Sequence, residues 1–197
     1  SQYRFNRLKE LISDLKPLSP ESSAYILRNK NGISNEELGI GNEMSINQYI
    51  SHHAVIFKPV QRVMWVSTTH WQLGKMVKYD LNQLFNLTSI RIKDDYKDIP
   101  ADSVQIKETL PAIIEYRIMS RLLSHKTSDK ISVDQGFASD YIKINPYFFQ
   151  TYVNLGENFL ASGNYSSASD MFKKALEMKI PSEETRKFII TKIEKLK

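Results

Sequence analysis

The chain has 197 residues, 41% of them apolar and 25% charged, a balance that excludes a disordered segment and fits one domain or one domain with an appendage. No run of about eighteen apolar residues predicts a membrane span, and without a cysteine the chain holds no disulfide framework, thiolate zinc site or cysteine nucleophile. The formal charge of +5 does not favour nucleic acid, because basic residues never exceed two in a row (Lys173-Lys174, Arg186-Lys187) and acidic residues are interleaved with them.

The opening "SQYRFNRLKELI" is polar and amphipathic, lacks a starting Met, and has no signal-peptide pattern. It reads as a cut point inside a longer polypeptide, so it assigns no compartment. Leu8, Leu11, Ile12 and Leu15 recur at helical spacing, with Ser1 as the expected cap and Pro17 as the stop. A short second helix is expected after Ser19, with Pro20 as its first residue and Ala24 and Leu27 on its buried side. "NKNG" predicts a turn in which Gly32 takes positive φ. Ile33–Ile46 is polar and reads as loop.

The pattern then changes. "YISHHAVIFKP" and "RVMWVSTTH" are rich in β-branched and aromatic residues, and "PVQR" between them predicts an antiparallel hairpin with Pro59 in the turn. Gly74–Leu81 reads as a third strand, since Met76, Lys78 and Asp80 alternate with Val77, Tyr79 and Leu81. The first strand is apolar on both faces, Val55 and Phe57 against Ala54 and Ile56. Such a strand is covered on two sides. Three strands and two short helices cannot supply that cover, which places the missing partners elsewhere in the parent polypeptide.

The charged, Pro-containing stretch Arg91–Ser103 marks a boundary, giving domains of 1–98 and 99–197. From there the sequence reads as helix only. Ile113, Ile114, Ile118 and Leu122 are expected on one side of a first helix, and Phe137 and Tyr141 on a second. Ile189, Ile193 and Leu196 mark a capping helix at the end. Between them, Phe149 opens a match to the tetratricopeptide pattern: Tyr152, Leu155, Gly156, Phe159, Gly163, Tyr165, Ala168, Phe172 and Ala175, with Pro181 at the exit. Gly156 and Ala168 are small where the two helices cross, while Tyr152, Phe159 and Phe172 fill the space beside them. Aligning Pro146 with Pro181 pairs Phe137 with Phe172 and Tyr141 with Leu176, as in a decayed preceding repeat. Repeats of this type need about three copies to build a groove. The one clear copy, 149–181, therefore reads as an appendage or a small docking surface for a protein partner.

Chemistry is sparse. His52 and His53 are adjacent, so on a strand they point to opposite faces; His70 and His125 lie apart from them. No HxH, HExxH, GxSxG, GxGxxG or P-loop occurs, so no metal or cofactor is expected. Trp65 and Trp71 flank the end of the hairpin, where they either border a pocket or simply pack.

The order of segments resembles the C-terminal part of the acyl-coenzyme A:isopenicillin N acyltransferase group, relatives of choloylglycine hydrolase and penicillin V acylase among the N-terminal-nucleophile (Ntn) hydrolases. The pieces that carry it are "YRFNRLKEL", "YILRNKNG" (similar to L-R-D-x-x-G), "HHAVIFKP" followed by "RVMWVS", and "WQLGKMVKYDLNQLF". Asn29 departs from the usual aspartate and Ala54 from a common serine. The resemblance implies an α+β fold in which 1–98 supplies part of an αββα sandwich, followed by the all-α tetratricopeptide-like tail. It implies a self-processed amide hydrolase or acyltransferase acting on a small linear acyl amide. Its nucleophile, a cysteine exposed by autoproteolysis, would lie in the N-terminal part of the same polypeptide, outside this chain. Arg4 and Arg7, three apart on one helix face, would then brace the sheet or meet a substrate carboxylate, and His53 would line the pocket. The alternatives are a salt bridge for the arginines and a satisfied buried histidine. A second reading of the whole is a non-catalytic interaction module using the helical hairpin.

Overall fold

The computed structural model describes residues 2–85 and 95–196. Ser1, the expected cap of the first helix, lies outside them, as does part of Arg91–Ser103. The chain is mixed α+β, with one three-stranded antiparallel sheet and helices before and after it. Its contacts gather into two compact units, Ser1–Asn35 with Ser45–Glu108, and Glu36–Met44 with Thr109–Lys197.

In the first unit, α1 (Gln2–Asp14) buries Arg7 and Leu11 and half-buries Leu8 and Ile12. Helix α2 (Pro20–Leu27) begins where its sequence says. The Ser19 hydroxyl accepts the Ser22 N–H at 3.1 Å, and the Ser22 hydroxyl accepts the Ser19 N–H at 2.8 Å, which satisfies two amide donors that a bare helix end leaves open. Its buried residues are Pro20, Ala24 and Ile26; Leu27, expected on that side, is half-buried against the core that Ala24 joins. The turn after α2 corrects one expectation. Positive φ falls on Ser34 (55°) and Asn35 (61°), not on Gly32. Partners from α1 hold those two residues: the Ser34 N–H donates to both Glu10 carboxylate oxygens at 2.9 and 3.2 Å, and the Arg7 guanidinium reaches Asn35 Oδ1.

Strands β1 (Val55–Lys58), β2 (Val63–Ser67) and β3 (Met76–Asp80) pair antiparallel in the order β1-β2-β3. The β1–β2 turn closes with the Arg62 N–H donating to the Pro59 carbonyl at 3.2 Å. The side-chain period of two sorts the sheet into unlike faces. Ile56, Val63, Trp65 and Met76 pack with Ala24 and Ile99 in a buried core. On the other face the register lines up two rows, Val55–Val66–Val77 and Phe57–Met64–Tyr79. Val55, Phe57 and Tyr79 are exposed there and the other three half-buried. The double apolar character of β1 is real, but within this unit only one face is covered. Beyond β3, Ile99 exchanges two backbone hydrogen bonds with Met76 (2.9 and 3.0 Å), so the chain is still extended within the stretch that the sequence marks as a boundary.

A short α3 (Leu81–Leu84) follows β3, and later a π-turn over Gln105–Thr109 leads into α4 (Leu110–Ser128), followed by α5 (Gln135–Ile144), α6 (Phe149–Ala161), α7 (Tyr165–Glu177) and α8 (Glu183–Glu194). Of the four residues expected inside α4, only Ile113 is buried; Ile114, Ile118 and Leu122 face outward. The buried side is Ile113, Tyr116 and Leu123 with Ser120 beside them. Two polar groups are tolerated there because they are paired: the Tyr116 and Thr151 hydroxyls at 3.0 Å, the Ser120 and Tyr141 hydroxyls at 2.7 Å.

Helices α6 and α7 form the tightest pair. A Cβ on Gly156 would stand 2.7 Å from Phe172 Cε1, so the ring lies where only hydrogen fits. Phe172, Ala168 and Ala175 are fully buried with Tyr152, Phe149 and Ile189 of α8, and Ile193 and Leu196 lean on the same cluster. The end of α6 is closed by Asn164 N–H to Phe159 O (2.8 Å) and Gly163 N–H to Leu160 O (3.1 Å), the paired bonds of a Schellman motif. Glu36–Met44, read from sequence as polar loop, is a strap packed on these helices. Leu38, Asn42 and Met44 are buried. Gly39, at φ 80°, approaches so closely that an added Cβ would meet Phe148 at 2.6 Å.

Candidate functional site

The residues singled out from sequence fall in distinct environments of the first unit. Arg7 is buried within α1; its guanidinium donates to Glu10 Oε2 at 2.8 Å and, through Nε, to Asn29 Oδ1 at 3.3 Å. Asn29, where the resembled family carries aspartate, is thus an uncharged acceptor for Arg7. The arginine in turn holds the Glu10 carboxyl below the usual glutamate range, with help from the Ser34 N–H. Arg4 lies half-buried on the same helix. His53 is exposed just ahead of β1. Trp65 belongs to the sheet core, edge-on to Tyr96, with its indole N–H donating to the Lys97 carbonyl at 2.9 Å.

Trp71 sits in a 3-10 turn, His70–Gln72, that bends against residue preference. Trp71 (φ 58°) and Gln72 (φ 68°) are both left-handed, a conformation that costs a residue with a Cβ about 1–3 kcal/mol. The surroundings over-determine it. The Trp71 N–H donates to the Ser51 carbonyl at 3.2 Å, and the buried Asn47 donates through Nδ2 to the Trp71 carbonyl at 3.1 Å. Tyr49 packs edge-on against the indole at 6.3 Å.

Arg28 anchors the other side of the turn. Its three guanidinium nitrogens donate to three carbonyls: Nε to Gln72 at 2.8 Å, Nη2 to Gly74 at 2.7 Å and Nη1 to Pro100 at 3.0 Å. The planar fork suits such divergent acceptors. Burial lowers its pKa, and Asp102 opposes that shift. Gln105 closes the seam, donating to the Arg28 carbonyl at 3.1 Å and to Asp102 at 2.8 Å while accepting from the Tyr49 hydroxyl at 2.6 Å. One group is left over: Gln72 Oε1 is buried with no donor among the described residues.

No family model, curated protein or solved structure matches the chain. The chemistry therefore rests on what these residues can do. The seam positions backbone and supplies hydrogen-bond donors, and the chain has no cysteine. Among the described residues no three His, Asp or Glu side chains gather as a metal site, and no helix is long and apolar enough to cross a membrane. Arg28, Tyr49, Gln72 and Gln105 were not picked out as site residues from sequence. Arg28 alone had a local signal, its place in "YILRNKNG". The others depend on partners 44 to 77 residues away.

Proposed function

We propose that this chain is the C-terminal portion of an Ntn-type cysteine amidohydrolase or acyltransferase, related to the choloylglycine hydrolase and penicillin acylase group, with its nucleophile outside these residues. The substrate class is a small linear acyl amide. One observation carries the reading beyond the sequence motifs. The sheet has one face packed on its own helix and the other lined by Val55, Phe57, Met64, Val66, Val77 and Tyr79 with no charged member. A sheet apolar on both faces fits as one layer of a sandwich, and the N-terminal part of the same polypeptide is the layer we assign to it. In this role the Arg28 seam and the Arg7–Glu10 pair brace the strand ends, and Phe149–Pro181 is a tetratricopeptide-like tail.

The test is denaturing intact-mass measurement on the natural protein, with N-terminal sequencing of every polypeptide present, followed by assay on acyl amides. A companion polypeptide beginning with cysteine, and amide cleavage abolished by thiol alkylation, are expected. A natural protein with no such polypeptide and no amidase activity sinks the reading. A non-catalytic interaction module is the second reading. It is favoured by a groove of about 600 Å³ between α5 and α7, floored by Val133, Ile142, Phe159 and Met171.

A further inference from the structure

The two edges of the sheet are finished differently. Ser67 donates its N–H to the Ala54 carbonyl at 3.0 Å, so in the β1–β2 register the backbone groups of Ala54, Ile56 and Lys58 point at β2 and those of Val55 and Phe57 point outward. The Thr68 N–H meets the Lys75 carbonyl at 3.1 Å, and the same alternation turns Met76 and Lys78 away from β2 at the opposite edge. That edge is closed. Met76 exchanges its two bonds with Ile99, and the Lys78 N–H donates to Asp98 Oδ1 at 2.9 Å. The β1 edge is open. Among the described residues no partner meets the outward N–H and C=O of Val55 and Phe57, and Val55, Ile56 and Phe57 include no charge or proline of the kind that blunts an edge.

We propose that β1 is the edge at which the sheet continues, and that a strand from the N-terminal part of the same polypeptide pairs with it at Val55 and Phe57. The pairing rests on the reading of the chain as a C-terminal portion. A row of open amide and carbonyl groups selects an extended segment, because only such a segment has its own groups free to match them. The incoming strand is apolar on both sides. Its residues opposite Val55 and Phe57 lie on the open face, beside side chains that are 42% and 58% exposed. The residue opposite Ile56 lies beside the core that holds Ala24, Trp65 and Met76. A second copy turned about Ile56 could form the same bonds. Its open face would then lie beside this one and enlarge the exposed apolar surface. A four-residue edge also falls far short of the roughly 800 Å² per partner that a stable interface between folded proteins buries. A strand of the layer assigned to the open face covers edge and face together.

The experiment is residue-resolved amide exchange on the natural protein, beside N-terminal sequencing of its polypeptides. The Ile56 and Lys58 amides, bonded to β2, are the references. The Val55 and Phe57 amides are expected to exchange at least about a hundredfold more slowly than in an unstructured chain. Phe57→Pro removes an outward N–H and no bond to β2, so it frees the Val55 amide and the amides of the pairing upstream strand while Ile56 stays protected; Phe57→Ala leaves all of them slow. Free exchange at Val55 and Phe57 with Ile56 still slow overturns the pairing. If sequencing nevertheless finds a companion polypeptide that begins with cysteine, the hydrolase reading stands without it; if it finds none, both fall. Protection that Phe57→Pro leaves intact overturns the pairing as well. So does protection in a particle that sedimentation shows to hold two copies of this chain and no upstream residues, which would assign the edge to a second copy.

Discussion

Asn145 grips Ile40 by both backbone groups. Its Oδ1 accepts the Ile40 N–H at 2.8 Å and its Nδ2 donates to the Ile40 carbonyl at 3.0 Å, between residues 105 apart in the chain. Asn145 is buried, so truncating it leaves two backbone groups without partners in a place water reaches poorly. Asn145→Ala is expected to destabilise the helical unit by about 2–3 kcal/mol, measured by urea denaturation. Amide exchange at Ile40 should accelerate more than at Leu155, in the core. Unchanged exchange at Ile40 would mean that the grip contributes nothing.

Gly156 and Phe172 make a second close pair. With 2.7 Å between a new Cβ and the ring, Gly156→Ala has to displace α6 or turn the phenyl, at about 1–3 kcal/mol. Phe172→Leu alone loses buried area, but combined with Gly156→Ala it makes room for the methyl. The double variant should therefore be more stable than the sum of the two single changes implies. Simple additivity would show that the contact is not what excludes a side chain at 156.

Arg28→Lys tests the three-carbonyl anchor. An ammonium is a point donor and cannot span the Gln72, Gly74 and Pro100 carbonyls together. The loss expected in denaturant is about 2–4 kcal/mol, accompanied by a change in Trp71 fluorescence as the turn relaxes. A variant within about 0.5 kcal/mol of the parent, the range of neutral surface changes, would relegate the seam to an incidental contact.

Alkaline pH should unfold the helical unit. Burial, then the neighbouring Tyr141, raises the Tyr116 phenol above its ordinary 10.0, and burial does the same to Tyr152. A raised folded-state pKa means that stability is fully present below pH 10 and drains away as pH climbs beyond it, by up to about 1.4 kcal/mol per pH unit for each proton. Tyr116→Phe should cost about 1 kcal/mol at neutral pH through the lost Thr151 hydrogen bond, and its stability should fall less steeply above pH 10. Denaturation midpoints against pH, read beside tyrosinate absorbance, would show both; an equal alkaline slope in the variant contradicts the assignment.

Local chemistry was readable from the sequence, and pairing over distance was not. Ser19-Pro20 announced α2, and Pro59–Arg62 the hairpin, because caps and turns are built from neighbours in the chain. The α6–α7 crossing was visible in the spacing of Gly156, Ala168 and Phe172. Helix α4 was misread because its richest apolar line, Ile114–Ile118–Leu122, competes with a more polar one. Tyr116 and Ser120 win the inside through hydroxyl partners on α5 and α6 that no period reveals. The turn at Gly32 went the same way: Glu10 and Arg7 stabilise left-handed Ser34 and Asn35, relieving glycine of the task. Asn47 and Gln105 carried no signal because each side chain acts on a backbone carbonyl far along the chain, and Gln72 carried none because it is its own carbonyl that the distant Arg28 reaches.

The strap Glu36–Met44 has a genetic consequence. The helical unit is not encoded by one uninterrupted stretch, since the residues that fill the space beside Asn145 and Phe148 come from the midst of the sheet-bearing half. A crossover or splice that moved only the codons after Glu108 to another gene would deliver helices with a bare groove at Leu38's place. Inheritance of the two halves is thereby coupled, and neither can be shuffled as a cassette without carrying a piece of the other.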